Sequence, residues 1–303
     1  MKRESWNWRP HIHTCMSERS ILKEALVRIR RTSWLRPIGR SILRLPGAGS
    51  VLRRFILRVL PRGSRIWFHI PTGPGRGLWL KVEPYLEHGY FSGFPEPGVQ
   101  EEIIRHLRPA GCFYDAGAHI GYYSLIASRL VGKGGRVVAF EPDPANVDVL
   151  RENLLRNGVS NVDVITAALW SHSGVVTFQR SASEGPEVSS RRGAVVAPNG
   201  KGLEAGLIRV EALTLDAFAA DYDPPTMIKI DVEGAEVEVL EGAQNLVARI
   251  RPVLLLEVHH QAAATFLQDR LRQNGYEIEW LAGRPGFAFP RHLLARPSER
   301  RCE

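Results

Sequence analysis

Cysteine is scarce in this chain of 303 residues: three are present, Cys15, Cys112 and Cys302. They are far apart and odd in number, so they supply neither a disulfide framework nor a zinc-ligand spacing, which points to a reducing compartment. No run of about 18 uncharged apolar residues occurs, which excludes a hydropathy-defined transmembrane helix. The first residues, Met1-Lys-Arg-Glu-Ser-Trp-Asn-Trp8, have no apolar core of a secretion signal. The expected location is cytoplasmic. A G-x-G-x-x-G fingerprint is also missing, which argues against a nicotinamide-dependent oxidoreductase. No internal repeat is visible. No aromatic-interleaved basic motif of a nucleic-acid module is found either, so no nucleic acid is expected as partner.

What is present starts with an ordinary apolar fraction of 44% and an uneven charge. Residues 1–65 hold 16 Lys/Arg and 3 Asp/Glu, a net of +13; the remainder holds 24 and 29, a net of −5, and the two give the overall +8. The basic stretch reads as an extension and residues 66–303 as the main domain. Within the extension, Ile21, Leu22, Ala25, Leu26 and Ile29, then Val51, Leu52, Phe55, Ile56, Val59 and Leu60, recur at helical spacing. These two basic amphipathic helices either cap the main domain or let residues 20–65 touch the inner face of an anionic membrane.

From residue 111 the rhythm is strand, helix, strand. Strands are predicted over 112–115, 136–141, 162–168, 226–231, 253–258 and 276–281, and helices over 121–131, 144–157, 234–249 and 261–274. This alternation predicts an α/β fold, a parallel sheet with helices on both faces and a core over 110–282. Before it come a helix over 99–108 and two strand-like runs over 65–70 and 78–82. The stretch 175–210 breaks the rhythm and reads as a β-rich insertion beside the site. Acceptor specificity is expected there and in 80–98.

Two constellations carry chemistry. Asp115-Ala-Gly-Ala-His-Ile-Gly121 ends an apolar run and opens an amphipathic one, the mark of a strand, a tight turn and a helix. Its glycines are spaced G-x-x-x-G, and Asp115 would repel a pyrophosphate while suiting an ammonium or hydroxyls. Glu141, at the end of the next strand, can accept both hydroxyls of a ribose. Together they point to S-adenosylmethionine. The second constellation is Met227-Ile-Lys-Ile-Asp-Val-Glu-Gly-Ala-Glu236. Lys229, Asp231 and Glu233 at one strand end are costly unless they pair or work. The following strand brings Glu257, His259 and His260 to the same edge, where open α/β sheets bind ligands. Carboxylates alone at Asp231 and Glu257 are weak grounds for a metal, and none is assigned.

At these residues the chain resembles the FkbM family of S-adenosylmethionine-dependent methyltransferases. The resemblance rests on Tyr114 to Ser124, Ala139-Phe-Glu-Pro-Asp-Pro144, Leu150-Arg-Glu-Asn-Leu154 with Asn157, Ile228 to Glu236 followed by Val239-Leu-Glu-Gly242, and Pro252 to His259. It spans residues 80–282. Where the family pattern has G-A-N, this chain has His119. The resemblance implies a Rossmann-like class I methyltransferase sheet and an O-methyltransferase acting on a hydroxyl of a sugar, a glycan or glycolipid, or a polyketide-like metabolite. It places Asp115, Gly117, Ala118, His119 and Gly121 at the methionine part, Glu141 at the ribose, and Asp163 to Ala167 near the adenine. An alcohol acceptor must lose a proton, so His259 is the expected base, then Asp231, with Lys229 orienting the oxygen or the base. The rival reading is a non-catalytic scaffold of this fold that docks through its basic arm. Oligomeric state is left open.

Overall fold

The computed structural model describes residues 61, 63–85, 87–92, 95–180, 194–196, 206–282 and 288–298. The extension expected over 1–65, with its helices and the membrane contact expected over 20–65, lies outside the described residues except for 61 and 63–65, and so do 181–193 and 197–205 of the insertion.

An antiparallel ribbon comes first, β1 (Ile66–His69) against β2 (Trp79–Val82), followed by α1 (Pro97–His106). The expected rhythm then holds with β3 (Cys112–Ala116), α2 (Tyr122–Val131), β4 (Arg136–Phe140), α3 (Pro144–Arg156) and β5 (Val162–Ile165). Next comes β6 (Ala168–Leu169), and the insertion supplies β7 (Gly174–Gln179), β8 (Ala194–Val196) and β9 (Leu207–Leu213), which join β6 in a second, four-stranded sheet. After α4 (Leu215–Ala220) come β10 (Met227–Ile230), α5 (Glu236–Glu241), β11 (Val253–Val258), α6 (Gln261–Gln273), β12 (Tyr276–Trp280) and β13 (Arg291–Pro297). Helix starts follow local chemistry. Asp143 caps α3 by accepting from Ala145 N–H at 2.9 Å, with Pro144 in the first turn.

The main sheet runs β12-β13-β11-β10-β3-β4-β5, and β13 alone runs opposite to the other strands. Alternation along the strands decides the layers. Phe113, Val137, Ala139, Met227, Leu255 and Leu294 face one core with α1, α2 and α3 residues such as Ile103, Leu125 and Leu150. Tyr114, Val138, Phe140, Ile228, Leu254, Leu256 and Leu293 face the other, with Leu215, Leu240, Leu267 and Leu271. Each fully buried large side chain contributes about 1.5–3 kcal/mol. Because both faces are covered, the central strands read as continuous apolar runs. The chain steps from β3 outward through β4 to β5, then returns to β10 on the other side of β3. That switch point opens a cleft at the strand ends.

The motif asparagines turn out to be clamps. Asn153 accepts from Lys81 N–H at 2.7 Å and donates to the Ile120 carbonyl at 2.8 Å. Asn157 accepts from Trp79 N–H at 2.8 Å and donates back to the Trp79 carbonyl at 2.7 Å. They hold the ribbon and the turn before α2 to α3.

Three expectations are corrected. The helix read over 234–249 ends at Gly242 and resumes as a π-helical turn over Leu246–Ile250, since glycine is a poor helix former. The strand read over 162–168 divides at Thr166, and its second part joins the insertion sheet through the β6–β9 pairing. The sheet also extends past residue 282. β13 buries only Leu293, Leu294 and Ala295 between charged and polar neighbours, too short an apolar run to read as a strand. Leu294→Ala is expected to cost about 2–5 kcal/mol, as for other buried leucines. A denaturant midpoint equal to that of the unsubstituted protein would place β13 outside the core.

Candidate active site

At the end of β3 the chain turns at once into α2, and two positions require glycine. A Cβ on Gly117 (φ 78) would stand 1.8 Å from the Asp231 carbonyl oxygen, and one on Gly121 (φ 85) 2.9 Å from Leu150 Cγ. The turn therefore lies directly against the end of β10, and the two sequence constellations form one site. His119 is left-handed too, at φ 52, a conformation that asparagine, aspartate and histidine tolerate best among side-chain-bearing residues.

The His119 N–H donates to Glu141 Oε2 at 2.8 Å. Glu141 Oε1 accepts from Asp143 N–H at 3.0 Å and from Asn146 Nδ2 at 3.1 Å. Burial raises the Glu141 carboxyl to about 7 against the lowering effect of these donors. A buried carboxylate presented by three donors is a fit acceptor for a vicinal diol.

Across the turn, strand parity sets Asp115, Lys229 and Glu257 on the same sheet face as Phe113, Met227 and Leu255. Lys229 lies beside Asp115 in register and is 4% exposed. Its Nζ donates to Asp231 Oδ2 at 3.1 Å and lies 3.7 Å from Asp115 Oδ1. Asp115 is fully buried and accepts from Ser124 Oγ at 2.6 Å. Burial alone would lower the lysine pKa, but Asp231 and Asp115 prevail and raise it, so the cation is held. Burial raises the Asp115 carboxyl, with Lys229 and Ser124 opposing. The Lys229 ammonium also stands 5.2 Å from the Tyr123 ring centre.

His259 does not suit the role of base. Its Nδ1 lies 2.7 Å from Glu236 Oε1 and its Nε2 3.1 Å from Glu233 Oε2. Burial would lower its pKa, yet the hydrogen bonds to Glu233 and Glu236 raise it to about 10. At neutral pH the ring is an imidazolium with both N–H groups committed, so it has no lone pair with which to take a proton. It positions two carboxylates instead.

A cleft of about 800 Å³, open to solvent, runs between these groups. It brings together Gly117, Ala118, His119, Glu141, Ala167, Lys229 and Asp231 from the sequence reading. Asp115 and Gly121 do not line it: the first lies beneath Lys229, and the second supports the turn. Asp163 is a correction. It pairs with Arg136 at 3.1 Å on an exposed flank, because it sits two residues before the end of the edge strand β5, towards the start of β4. The wall expected there is supplied by Ala168, Leu169 and two insertion residues, Phe178 and Val195. Arg180 fastens β7 to the Asp143 cap, with Nε 3.1 Å from Oδ1. The other half has Tyr90, Glu96, Tyr122 and Tyr123, with the Tyr90 and Tyr122 rings 4.8 Å apart. Sequence reasoning marked the segments that supply Tyr90, Glu96, Phe178 and Val195 but not the residues, since no local pattern aims a loop side chain.

Two outcomes are expected. Lys229→Ala leaves the buried Asp115 carboxylate without its cation and is expected to cost about 3–5 kcal/mol, partly restored by adding Asp115→Asn; chemical denaturation of both variants checks this. His259 has a folded pKa above its unfolded value of 6.5. The stability it supplies is therefore full below pH 6.5 and is lost as pH rises through about 10. The melting-temperature gap between the unsubstituted protein and His259→Gln should be wide at pH 6 and narrow at pH 10. A gap independent of pH would contradict the imidazolium assignment.

Known proteins resemble this chain. The Methyltransferase FkbM domain matches residues 115–278. Hexuronic acid methyltransferase AglP of Haloferax volcanii is 32% identical over 214 residues, 64% of this chain and 80% of that protein. Methyltransferase sdnD of Sordaria araneosa is 31% identical over 156 residues, 43% of this chain and 60% of that protein. Among solved structures, the methyltransferase FkbM from Methylobacillus flagellatus KT aligns with a TM-score of 0.45 at 20% identity, covering 69% of this chain and 55% of that one. This chain belongs to the FkbM family of methyltransferases, with S-adenosylmethionine as its cofactor.

Proposed function

We propose that the protein is an O-methyltransferase that methylates a hydroxyl of a sugar, a glycan or glycolipid, or a related polyketide-like small molecule. The observation that carries this reading is one cleft with two polar ends: Glu141, presented for a diol, and Asp231, held by Lys229. The residues fit the cofactor. Gly117 leaves room for close approach to the backbone, Glu141 offers an acceptor for the ribose hydroxyls, and Ala168, Leu169, Phe178 and Val195 offer an apolar slot for the adenine. The turn offers no cation for a pyrophosphate, and Asp231 beside it would repel one.

S-adenosylmethionine supplies a methyl group activated by its sulfonium. The chain's own task is alignment, exclusion of water and removal of one proton, and orientation can supply a large part of the barrier reduction. Asp231 is the candidate base for the acceptor hydroxyl, and the Lys229 ammonium fixes its carboxylate and steers the acceptor oxygen. A positioned base contributes about 10²–10⁴-fold. His259 holds Glu233 at the cleft wall. Tyr90 and Tyr122 offer ring faces to a sugar, and the carboxylates offer acceptors for its hydroxyls. The relative from Haloferax volcanii, described as a hexuronic acid methyltransferase, supports a sugar acceptor.

Incubation with methyl-labelled S-adenosylmethionine and cell extract, split into lipid, glycan, small-molecule and protein fractions, tests the reading. Label is expected in the glycan, lipid-linked or small-molecule fraction as an alkali-stable ether. Label released as methanol by alkali would mean a carboxyl acceptor, and label in protein alone would overturn the proposal. Cofactor binding should also titrate. Ribose hydroxyls donate to the ionised Glu141, whose pKa is about 7. S-adenosylhomocysteine affinity should therefore rise about tenfold from pH 6 to pH 8, with proton release on binding. Calorimetry in buffers of different ionisation enthalpy measures it, and Glu141→Gln should weaken binding and flatten the profile.

A further inference from the structure

We infer that Glu96 and Glu233 select the acceptor by charge: the ring that enters the polar half of the cleft carries no carboxylate, and an amino group on it is favoured. This inference rests on the proposed transfer to a hydroxyl and narrows the class of acceptor. Both residues line the cleft, and neither is needed to remove the proton. Glu96 stands at the start of α1, but its side chain makes no capping hydrogen bond with that helix. It accepts instead from Tyr123 O–H at 2.7 Å, which orients the carboxylate at the cleft wall. Glu233 follows β10 with a left-handed φ of 53, a conformation that a glutamate keeps only where its surroundings hold it. The holder is His259, whose Nε2 lies 3.1 Å from Glu233 Oε2. The same ring is anchored through Nδ1 on the fully buried Glu236, which also accepts from Gly234 N–H at 2.8 Å.

The sign of this half follows from its pairings. Among the described residues, Lys229 is the one lysine or arginine that lines the cleft. Lys229 faces two carboxylates, Asp115 and Asp231, and His259 faces two more, Glu233 and Glu236. His119 Nε2 lies 3.7 Å from Glu87 Oε1, and His292 Nε2 lies 3.6 Å from Glu96 Oε1. Each of these cations is matched or outnumbered, so the acidic sign stands even with every imidazole charged. S-adenosylmethionine brings one net positive charge, which offsets part of the excess and leaves the rest for the acceptor.

The side chains of Glu96 and Glu233 are 12% and 23% exposed, so water and salt screen them less than surface acids. A cleft walled by one sign of charge also focuses its field. A uronate entering it would lose hydration and meet repulsion with no cation to receive it, which is how charged walls reject a wrong partner. A neutral ring donates hydroxyl hydrogens to the two carboxylates, and an amino group makes the stronger charge-assisted bond. The Tyr90 and Tyr122 rings, 4.8 Å apart, offer an aromatic face that also attracts an ammonium.

The test uses the full-length protein, methyl-labelled S-adenosylmethionine and cell extract. The labelled ether is hydrolysed in acid to its monomers, which frees the methylated ring from charged neighbours, and is run in electrophoresis at pH 7. The labelled monomer is expected to stay at the origin or move to the cathode. Movement to the anode overturns the inference while leaving transfer to a hydroxyl intact. Absence of any labelled ether overturns the proposed function, and this inference falls with it. Glu96→Gln and Glu233→Gln should each raise the amount of acceptor fraction needed for half-maximal rate about tenfold. Their affinity for S-adenosylhomocysteine, measured by calorimetry, should stay as in the unsubstituted protein. An unchanged acceptor requirement in either variant overturns the inference. So does a tenfold loss of S-adenosylhomocysteine affinity, which would assign these carboxylates to the cofactor. The electrophoretic result stands without any variant.

Discussion

The buried ammonium of Lys229 is the constraint on which the site depends. It sits on β10 between Asp115 of β3 and Asp231 at its own strand end. The fully buried Asp115 carboxylate is not tolerable without it, and the lysine is not tolerable without the two carboxylates. An ion pair of this kind is a poor source of stability compared with well-packed apolar groups. What it does is fix geometry. It locks the register of β10 against β3, and so fixes the end of β10 against the glycine turn, where Gly117 leaves no space for a side chain beside the Asp231 carbonyl.

The cleft that results has two unlike halves. One is built around Glu141, whose carboxylate is presented by the His119 backbone, the Asp143 backbone and Asn146, and is closed by apolar side chains from β6 and the insertion. The other is polar and aromatic, with Tyr90, Glu96, Tyr122, Tyr123, Lys229 and Asp231. A carboxyl poised near neutrality in the first half and a locked carboxylate–ammonium pair in the second can serve two partners at once, a cofactor and an acceptor. Histidine at position 119 is compatible with the first half because the hydrogen bond to Glu141 comes from its backbone, and the left-handed φ is one that histidine accepts.

The insertion shows how a fold shared by many methyltransferases acquires its own shape. Its four-stranded sheet is tied to the Glu141 half through the β6–β9 pairing and the Arg180 contact with the α3 cap. Phe178 and Val195 thereby become part of the cleft although they belong to no strand of the main sheet.

The sequence by itself determined the layers, most of the strands and helices along the chain, and the glycine turn after β3. These follow from local rules: period-two and period-3.6 patterning, glycine where φ is positive, and acids at strand ends. Asp115, Glu141, Lys229 and Asp231 were legible for that reason. The tertiary structure decided what each charge does. His259 reads as a base on chemistry alone, but Glu233 and Glu236 close on both of its nitrogens and make it a cation. Asp163 reads as an adenine contact by position along the chain, but it stops short of the end of the edge strand and pairs with Arg136 on an exposed flank. β13 joins the sheet beside β11 from a segment distant in sequence. Protonation and partnership depend on which groups meet across strands, and no local pattern encodes that.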